Sequence, residues 1–228
     1  MFKITNRSKR SKIISRQKEI DEQTIVQEII HSTKDELEEI NNLNDFYEYI
    51  KNFDSPLKKN AKNTVIYDGI PSSPLMIIGD VPGEDEDIEA KPFVGEIGKL
   101  LTAMLKAINI ERSKTYITNF IYWKLENNRT LTKEEVEKCL PLLKKHIDII
   151  NPKVILILGS TALNALFSDL KITNVRGKTI YYKSHAIIAT FHPSYILKLQ
   201  KQKLLVWEDL QKLEILLKSM NLMNEICK

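Results

Sequence analysis

Hydrophobic residues along the chain alternate between two spacings. Continuous apolar runs occur at Leu75–Ile78 and Val154–Leu158, and a region of helical spacing lies between them, with apolar positions at Leu101, Leu105 and Ile108. Short continuous runs are typical of strands buried on both faces, and the wider spacing is typical of amphipathic helices. Strands that alternate with helices favour a mainly parallel sheet covered by helices on both sides.

Four apolar or β-branched runs are predicted to be strands of this sheet. They cover residues 75–79, 115–118, 154–158 and 186–190. A hairpin-like stretch around residues 180–182 precedes the last of them. Between the second and third strands, Thr132 and Glu135 form a capping-box pattern for a helix that ends near Ile150, before Pro152. The pattern therefore predicts the α/β class.

The first fifty residues carry weaker signals. Residues 1–18 contain seven Lys or Arg residues and no acid, which suits either a flexible arm in loose contact with phosphates or a solvated, disordered tail. From Glu19 to about Ile50, apolar positions recur at helical spacing among acids and amides. One or two amphipathic helices are predicted there.

Net charge and cysteine content narrow the functional classes only slightly. With 34 Lys and Arg against 30 Asp and Glu, the net charge of +4 permits a polyanionic partner without arguing for one. Cys139 and Cys227 are too few for a disulfide framework or a self-contained metal site, so a metal-free protein is expected. No apolar run approaches the roughly 20 residues of a membrane-spanning helix, and a cytoplasmic protein is expected.

Polar residues follow the predicted strands at their carboxyl ends. Asp80–Gly83 follows the first strand, Asn119 follows the second, and Phe191–Ser194 follows the last. Parallel sheets bind ligands in the crevice beyond these strand ends. The three segments are therefore expected to converge on one site.

Each of these segments on its own is compatible with two interpretations. Asp80 beside an acidic run disfavours phosphate binding and suits positioning of water or recognition of a base edge, but the acidic loop could also be solvated. Phe93 could present its ring to a planar ligand or belong to the core. Asn119 could pair with a base edge or form a turn, and His192 could stabilise an anionic leaving base or be structural.

Taken together, the motifs resemble those of one enzyme family. Their order is Gly-acid-X-Pro-Gly, Glu-Asp, Pro-Phe-Val-Gly-X-X-Gly-X-Leu-Leu, Thr-Asn, Asn-Arg and His-Pro-Ser, from Gly79 to Ser194. This order resembles that of the family-four uracil-DNA glycosylases over roughly residues 45–217. We therefore predict a basic arm and helical extension over residues 1–44 and a glycosylase-like domain over residues 45–228.

The resemblance implies a three-layer α/β/α fold around a four-stranded, mainly parallel sheet. It also implies a monomeric enzyme that needs no cofactor, flips deoxyuridine out of uracil-containing DNA and hydrolyses its N-glycosidic bond. Phe93 would stack on the uracil, Asn119 would read its edge and reject cytosine, and His192 would stabilise the carbonyl that gains negative charge. The implied residues are Asp80, Glu86 and His192 in catalysis; Val81, Phe93, Asn119 and Ser194 in substrate binding; Arg129, Arg176 and Lys198 in DNA binding.

The sequence departs from the family pattern where members hold a four-iron four-sulfur cluster with four cysteines. Only Cys139 remains, and Asn52, Ser55 and Trp123 stand at the other positions. One thiolate cannot hold a cluster, so we predict that none is bound. The indole of Trp123 is predicted to fill the volume of the cluster with buried apolar area.

Two further substitutions lie in the motifs themselves. Asp80 stands where the family has Glu, which draws the carboxylate back by the length of one methylene. Lys198 stands where relatives have Arg, which keeps the charge but loses the bidentate geometry for phosphate. We therefore expect a lower affinity for DNA.

Two other functions remain open from the sequence. A non-catalytic DNA-binding relative would keep the pocket but not the catalytic rate. The joint retention of Phe93, Asn119 and His192 disfavours this alternative. A nucleotide-binding module could use Gly79–Gly83 as a phosphate turn, but that loop has no Lys or Arg before Lys91. The motifs favour a working glycosylase.

Overall fold

A computed structural model of the chain describes Thr24 and residues 26–227. The first described helix, α1, covers residues 26–38, and α2 (Leu43–Asn52) follows it. The two helices confirm the amphipathic pattern predicted for this part of the chain. The basic arm predicted over residues 1–18 lies outside the described residues.

The two N-terminal helices are packed on the main core. Leu37 and Ile40 belong to the same buried cluster as Phe46 and Ile50 of α2, and the last two are 0% exposed. Asn42 caps α2, because its side-chain oxygen accepts a hydrogen bond from the Asp45 amide at 2.9 Å. The domain boundary between residues 44 and 45 stays a prediction, and it falls inside α2.

In the part of the chain that the structure describes, six strands form one sheet, and their spatial order is β1-β3-β2-β4-β6-β5. The strands are β1 (Tyr67–Gly69), β2 (Leu75–Gly79), β3 (Tyr116–Asn119), β4 (Val154–Leu158), β5 (Thr179–Tyr182) and β6 (His185–Thr190). The four central strands are parallel and correspond to the four predicted strands. The predicted hairpin-like stretch is β5, which pairs antiparallel with β6.

The sheet has two more strands than the four that the resemblance implies, because an antiparallel strand flanks each edge. Strand β1 was not predicted. It has only three residues, all half-buried, and its sequence Tyr-Asp-Gly has no apolar alternation. Edge strands of this kind leave little trace in hydrophobicity, since only one of their sides contacts the sheet.

Helices cover both faces of the sheet, which confirms the three-layer α/β/α class. Alternate residues of β2 point to opposite layers: Met76 and Ile78 join the core beneath α1, α2 and α5, and Leu75 and Ile77 join the core beneath α4 and α9. The remaining helices are α3 (Glu84–Glu89), α4 (Gly95–Ala107), α5 (Lys133–Ile150), α6 (Ser160–Leu166), α7 (Ile172–Val175), α8 (Pro193–Lys198), α9 (Lys203–Ser219) and α10 (Met223–Ile226).

Local sequence signals fix the ends of the longest helix, α5. The Thr132 hydroxyl accepts from the Glu135 amide at 3.2 Å, and the Glu135 carboxylate accepts from the Thr132 amide at 2.9 Å, which confirms the predicted capping box. Asn151 ends the helix in the left-handed conformation. None of the described helices has both the length and the apolar character needed to cross a bilayer.

Candidate active site

A cleft of about 780 Å³ opens at the carboxyl ends of the parallel strands. This volume is within the range of sites that enclose small ligands. Residues directly after β2, β4 and β6 line the cleft. It therefore lies at the carboxyl ends of the parallel strands, where a ligand crevice was predicted. These residues are Asp80, Val81, Gly159, Ser160, His192 and Ser194.

An aromatic ring, an amide and an imidazole are close neighbours in the structure. The Phe93 and His192 rings have centroids 5.5 Å apart and are tilted by 35°. A β-carbon at Gly79 would overlap both the Phe93 ring and the side-chain oxygen of Asn119, so all three groups are neighbours. Phe93 and Asn119 are each 1% exposed and are not among the residues that line the cleft, whereas His192 lines it.

Asn119 has an unsatisfied hydrogen-bond donor. Among the described residues, its Nδ2 atom is the buried side-chain nitrogen or oxygen that has no partner. A buried donor without a partner costs about 1–3 kcal/mol, so native proteins rarely keep one unless a ligand or an ordered water supplies the acceptor. The amide nitrogen is therefore available to donate to an acceptor such as a carbonyl oxygen.

The hydrogen bonds of His192 fix the position of its proton. His192 caps α8, and its Nδ1 atom accepts from the Ser194 backbone amide at 3.2 Å and lies 2.7 Å from the Ser194 hydroxyl. Because Nδ1 is the acceptor, the neutral ring carries its proton on Nε2. Burial lowers the pKa of His192 to about 4. At neutral pH the side chain is an uncharged hydrogen-bond donor.

Glu86 links the acidic loop to the aromatic residue. Its carboxylate accepts hydrogen bonds from the backbone amides of Gly83 and Phe93. Burial raises the pKa of Glu86, and these two amides and the charge of Arg112 offset part of that rise. The acidic loop predicted after Asp80 contains the short helix α3, and its acids are not simply solvated, because Glu86 is 6% exposed and Asp87 is 1% exposed.

Asp80 lines the cleft, and its carboxylate is hydrogen-bonded to the segment that follows the neighbouring strand β4. Its Oδ1 atom accepts from the Ala162 amide at 2.9 Å, and its carboxylate fills the space where a side chain at Gly159 would lie. Gly159 has a φ of 110°, which glycine tolerates best. Burial raises the pKa of Asp80 to about 6, although the backbone amides at the start of α6 lower it. Asp80 therefore joins the turns after β2 and β4.

Comparison with known proteins settles the family. The family model described as "Uracil DNA glycosylase superfamily" matches residues 67–211. The chain belongs to the uracil-DNA glycosylase superfamily. It is 40% identical over 168 residues to the type-4 uracil-DNA glycosylase of Thermotoga maritima, covering 72% of this chain and 88% of that protein. This confirms the resemblance to family four that the motifs carried.

Further relatives extend this picture. The chain is 40% identical over 161 residues to the type-4 uracil-DNA glycosylase of Sulfurisphaera tokodaii, covering 66% of this chain and 73% of that protein. It is also 28% identical over 144 residues to a DNA polymerase of Bacillus phage SP01, covering 63% of this chain but only 16% of that protein. The last likeness is confined to a small part of a much longer chain.

The positions that carry cluster cysteines in family-four glycosylases do not fit a cluster in this superfamily member. No group of three or more Cys, His, Asp or Glu side chains that could hold a metal occurs among the described residues. The Asn52 amide bonds the Glu48 carbonyl, and the Ser55 hydroxyl accepts from the Leu57 amide. Cys139 is buried, and burial raises the pKa of its thiol to about 12.

Trp123 occupies the fourth of these positions as a packed core residue. Its indole is 1% exposed and stacks on Phe53 with centroids 6.1 Å apart and an angle of 8°. The indole nitrogen donates to the Thr64 hydroxyl at 3.1 Å, so its polar atom is satisfied. These contacts support the prediction that apolar packing replaces the metal cluster.

The three cations predicted to bind DNA have different surroundings. Arg129 and Lys198 line the cleft. Arg129 also forms a bidentate ion pair with Glu135, with nitrogen-to-oxygen distances of 2.6 and 2.7 Å. Arg176 is not among the cleft residues: its Nε atom donates to buried Asp209 at 3.0 Å, and its side chain is 17% exposed. The structure gives Arg176 a role in packing α9 against β6, and its contact with DNA stays a prediction.

No pattern in the sequence indicates the importance of Arg112. Its guanidinium donates to the Asp68 carboxylate and to the Pro92 carbonyl, each at 3.0 Å. Both partners are far away along the chain, and Asp68 belongs to the unpredicted strand β1. A contact between distant segments leaves no local pattern, so only the folded arrangement reveals it.

Proposed function

We propose that the protein is a uracil-DNA glycosylase that removes uracil from DNA and leaves an abasic site. The Asn119 amide carries the proposal: its Nδ2 atom is unpaired and its oxygen borders the same space as the Phe93 ring, so a flat base with a carbonyl edge suits both groups. Membership of the superfamily and the type-4 relatives support it. The enzyme is proposed to work on DNA as a monomer in the cytoplasm.

In the proposed function, the buried Phe93 ring and Asn119 amide recognise the base. Flipping a deoxyuridine out of the duplex costs a few kcal/mol, which stacking on an aromatic face and new hydrogen bonds recover. The Asn119 amide nitrogen donates to the uracil carbonyl. Cytosine presents an amino group at the same place, so two donors would face each other and the buried amide would stay unpaired.

His192 stabilises the leaving group in the proposed reaction. When the bond between C1′ and the base nitrogen breaks, both electrons leave with the uracil, and negative charge develops on its carbonyl oxygens. The Nε2 proton of neutral His192 donates a hydrogen bond to such an oxygen. A donor oriented in advance towards developing charge contributes about 100- to 1000-fold to the rate in comparable sites.

Asp80 is the carboxylate proposed to handle water. It lines the cleft together with Val81, and its burial keeps the pKa near the working range of a general base. Water adds to the positively charged sugar carbon and loses a proton to Asp80, which balances the step. Glu86 acts indirectly, since both of its oxygens hold backbone amides of the pocket loops. Ser194 orients the imidazole, and Arg129 and Lys198 face the DNA backbone.

The direct test is incubation with an end-labelled oligonucleotide that contains one uracil, followed by alkali, which breaks the strand at an abasic site. Wild-type protein should cut this strand and leave matched cytosine and thymine strands intact. Asn119→Ala and His192→Ala should abolish cleavage while retaining the wild-type circular dichroism spectrum. Intact substrate with firm DNA binding by the wild type would instead select the non-catalytic relative.

A nucleotide-binding role for Gly79–Gly83 has less support. The turn carries Asp80 and is followed by buried acids, and a phosphate would meet their charge. Gly83 donates its amide to Glu86, so this amide is not free for a phosphate oxygen. Titration with ATP, read by intrinsic fluorescence, should show no saturable binding at millimolar concentration.

A further inference from the structure

Phe93 has a backbone conformation that is unusual for an aromatic residue. Its φ angle is 54°, in the left-handed region where a side chain with a β-carbon is strained. Such strained residues persist only where surrounding contacts determine them, and they are often found at functional sites. The contacts that hold Phe93 therefore control where its ring lies.

Three contacts fix the backbone around Phe93. The Glu86 carboxylate accepts from the Phe93 amide, and Arg112 donates to the preceding carbonyl, that of Pro92, at 3.0 Å. The Phe93 carbonyl lies against Gly98, where a β-carbon would overlap it. Together they hold both peptide groups next to the Phe93 α-carbon.

Arg112 is itself anchored from the opposite side. It lies on the turn Arg112–Lys114 before β3, and its guanidinium pairs with Asp68 of the edge strand β1 at 3.0 Å. A second nitrogen reaches the Gly98 carbonyl at 3.4 Å. The side chain is 19% exposed and is absent from the cleft lining. With these partners, Arg112 lies outside the cleft in which the substrate is proposed to bind.

We propose that Arg112, anchored by Asp68, is a positioning residue that sets the Phe93 ring for uracil recognition. The proposal deepens the proposed function and rests on it. Arg112 links the edge strand β1 to the segment Pro92–Gly98, because a planar guanidinium can bind a carboxylate and two carbonyls at once. A lysine has one compact charged group and cannot reproduce this set of contacts.

The main test compares Arg112→Met with Lys114→Met, a matched variant on the same turn. Both changes remove one positive charge, but Lys114 bonds Glu111 and the Cys227 carbonyl and does not reach the Pro92–Gly98 segment. Three quantities are measured below the melting temperature of each variant: kcat/KM on uracil-containing DNA, inhibition by free uracil, and the salt dependence of binding to uracil-free DNA.

Arg112→Met should weaken inhibition by free uracil and lower kcat/KM, each by about 10- to 100-fold, since a displaced recognition group costs that much. Arg112→Lys should lie between this variant and the wild type, and Lys114→Met should behave as the wild type. Binding to uracil-free DNA should keep its salt slope. A slope reduced by about one, the sign of a lost phosphate contact, would overturn the proposal, as would unchanged uracil inhibition.

Asp68→Asn keeps the test decisive if Arg112→Met does not fold. This variant retains the size of Asp68 and removes the anchoring charge, so it should weaken uracil inhibition in the same direction but less. Unchanged uracil inhibition in Asp68→Asn would overturn the proposal. Where Arg112→Met folds, the double variant should lose no more than Arg112→Met, because Asp68 acts through Arg112, and additive losses would contradict the proposal. If the wild type cuts no DNA, the proposed function fails. Calorimetry of free uracil with the same variants still tests whether Arg112 positions the Phe93 ring.

Discussion

The side-chain oxygen of Asn119 lies against the backbone of Gly79, in the space that a β-carbon at position 79 would fill. The Phe93 ring borders the same space. Gly79 does not have a positive φ, so close approach, and not backbone conformation, accounts for the glycine. The last residue of β2 thus determines how near the amide and the ring can come to each other.

Gly79→Ala should therefore remove uracil excision without unfolding the protein. The added methyl group must displace the Asn119 amide, the Phe93 ring or both, and a shift of about 1 Å in such groups costs about 100-fold in rate. The measurement is kcat/KM on single-stranded uracil DNA, with thermal melting as the check on folding.

Gly83→Ala is the matched control for this variant. A β-carbon at Gly83 would meet only a Glu86 carboxylate oxygen at 3.5 Å, which is an ordinary contact. The variant should keep more than about one fifth of the wild-type rate, since an added methyl group that makes no clash costs little. Equal losses at both glycines would show that the loop as a whole, and not the approach at Gly79, governs activity.

Asp80 should impose a pH dependence on the rate. Burial raises the pKa of this carboxyl group to about 6. Only the deprotonated form accepts a proton from water, so kcat/KM should rise about tenfold per pH unit below that pKa and level off above it. His192 adds no second inflection in this range, because its pKa is lowered to about 4.

Asp80→Asn separates this assignment from its main competitor. The variant should be slow and should show a flat profile through the same pH range. Glu86 is the other buried acid of the site, and burial raises its pKa as well. If Asp80→Asn keeps the inflection, Glu86 and not Asp80 is the titrating group.

The tautomer of His192 predicts unequal effects for two neighbouring substitutions. His192→Ala should cost about 100- to 1000-fold in kcat, the usual loss of one donor to a developing anion. Ser194→Ala should cost no more than about tenfold, because the Ser194 backbone amide still donates to Nδ1. Nitrogen NMR of labelled histidine should show the proton on Nε2; a proton on Nδ1 would contradict the mechanism.

The sequence predicted the central sheet and most of the site for a common physical reason. Buried parallel strands need continuous apolar runs, as in β2 and β4, and their ends must expose polar groups at one edge of the sheet. Asp80, Asn119 and His192 could therefore be located before any coordinates. Their roles could not, because the amides that bind Asp80 come from α6, which is distant along the chain.

Features that depend on contacts between distant segments escaped prediction. The helix α3 has an acidic sequence with one apolar residue, Ile88, so it shows no amphipathic period, and its buried acids instead hold backbone amides. The positive φ of Phe93 also has no sequence signature, since such angles usually indicate Gly or Asn. Both features are stabilised by tertiary hydrogen bonds that local propensity does not report.

The stability of the region around Trp123 provides the test of how this chain manages without cluster ligands. The indole is 1% exposed and stacks on Phe53. Trp123→Ala should lower the free energy of unfolding by about 3–5 kcal/mol, the usual cost of removing a buried aromatic side chain. Urea titration gives this value, and Trp207→Ala, at a position that is 39% exposed, should change it by less than about 1 kcal/mol.

The same variants distinguish packing from metal binding. If apolar packing alone holds this region, purified wild-type protein should lack the broad visible absorbance of an iron-sulfur cluster, and chelators should not change its unfolding midpoint. Trp123 does not line the cleft, so Trp123→Ala should still excise uracil at temperatures where it remains folded. Cluster absorbance in the wild type, or equal stability of Trp123→Ala and Trp207→Ala, would show that the indole does not replace the metal.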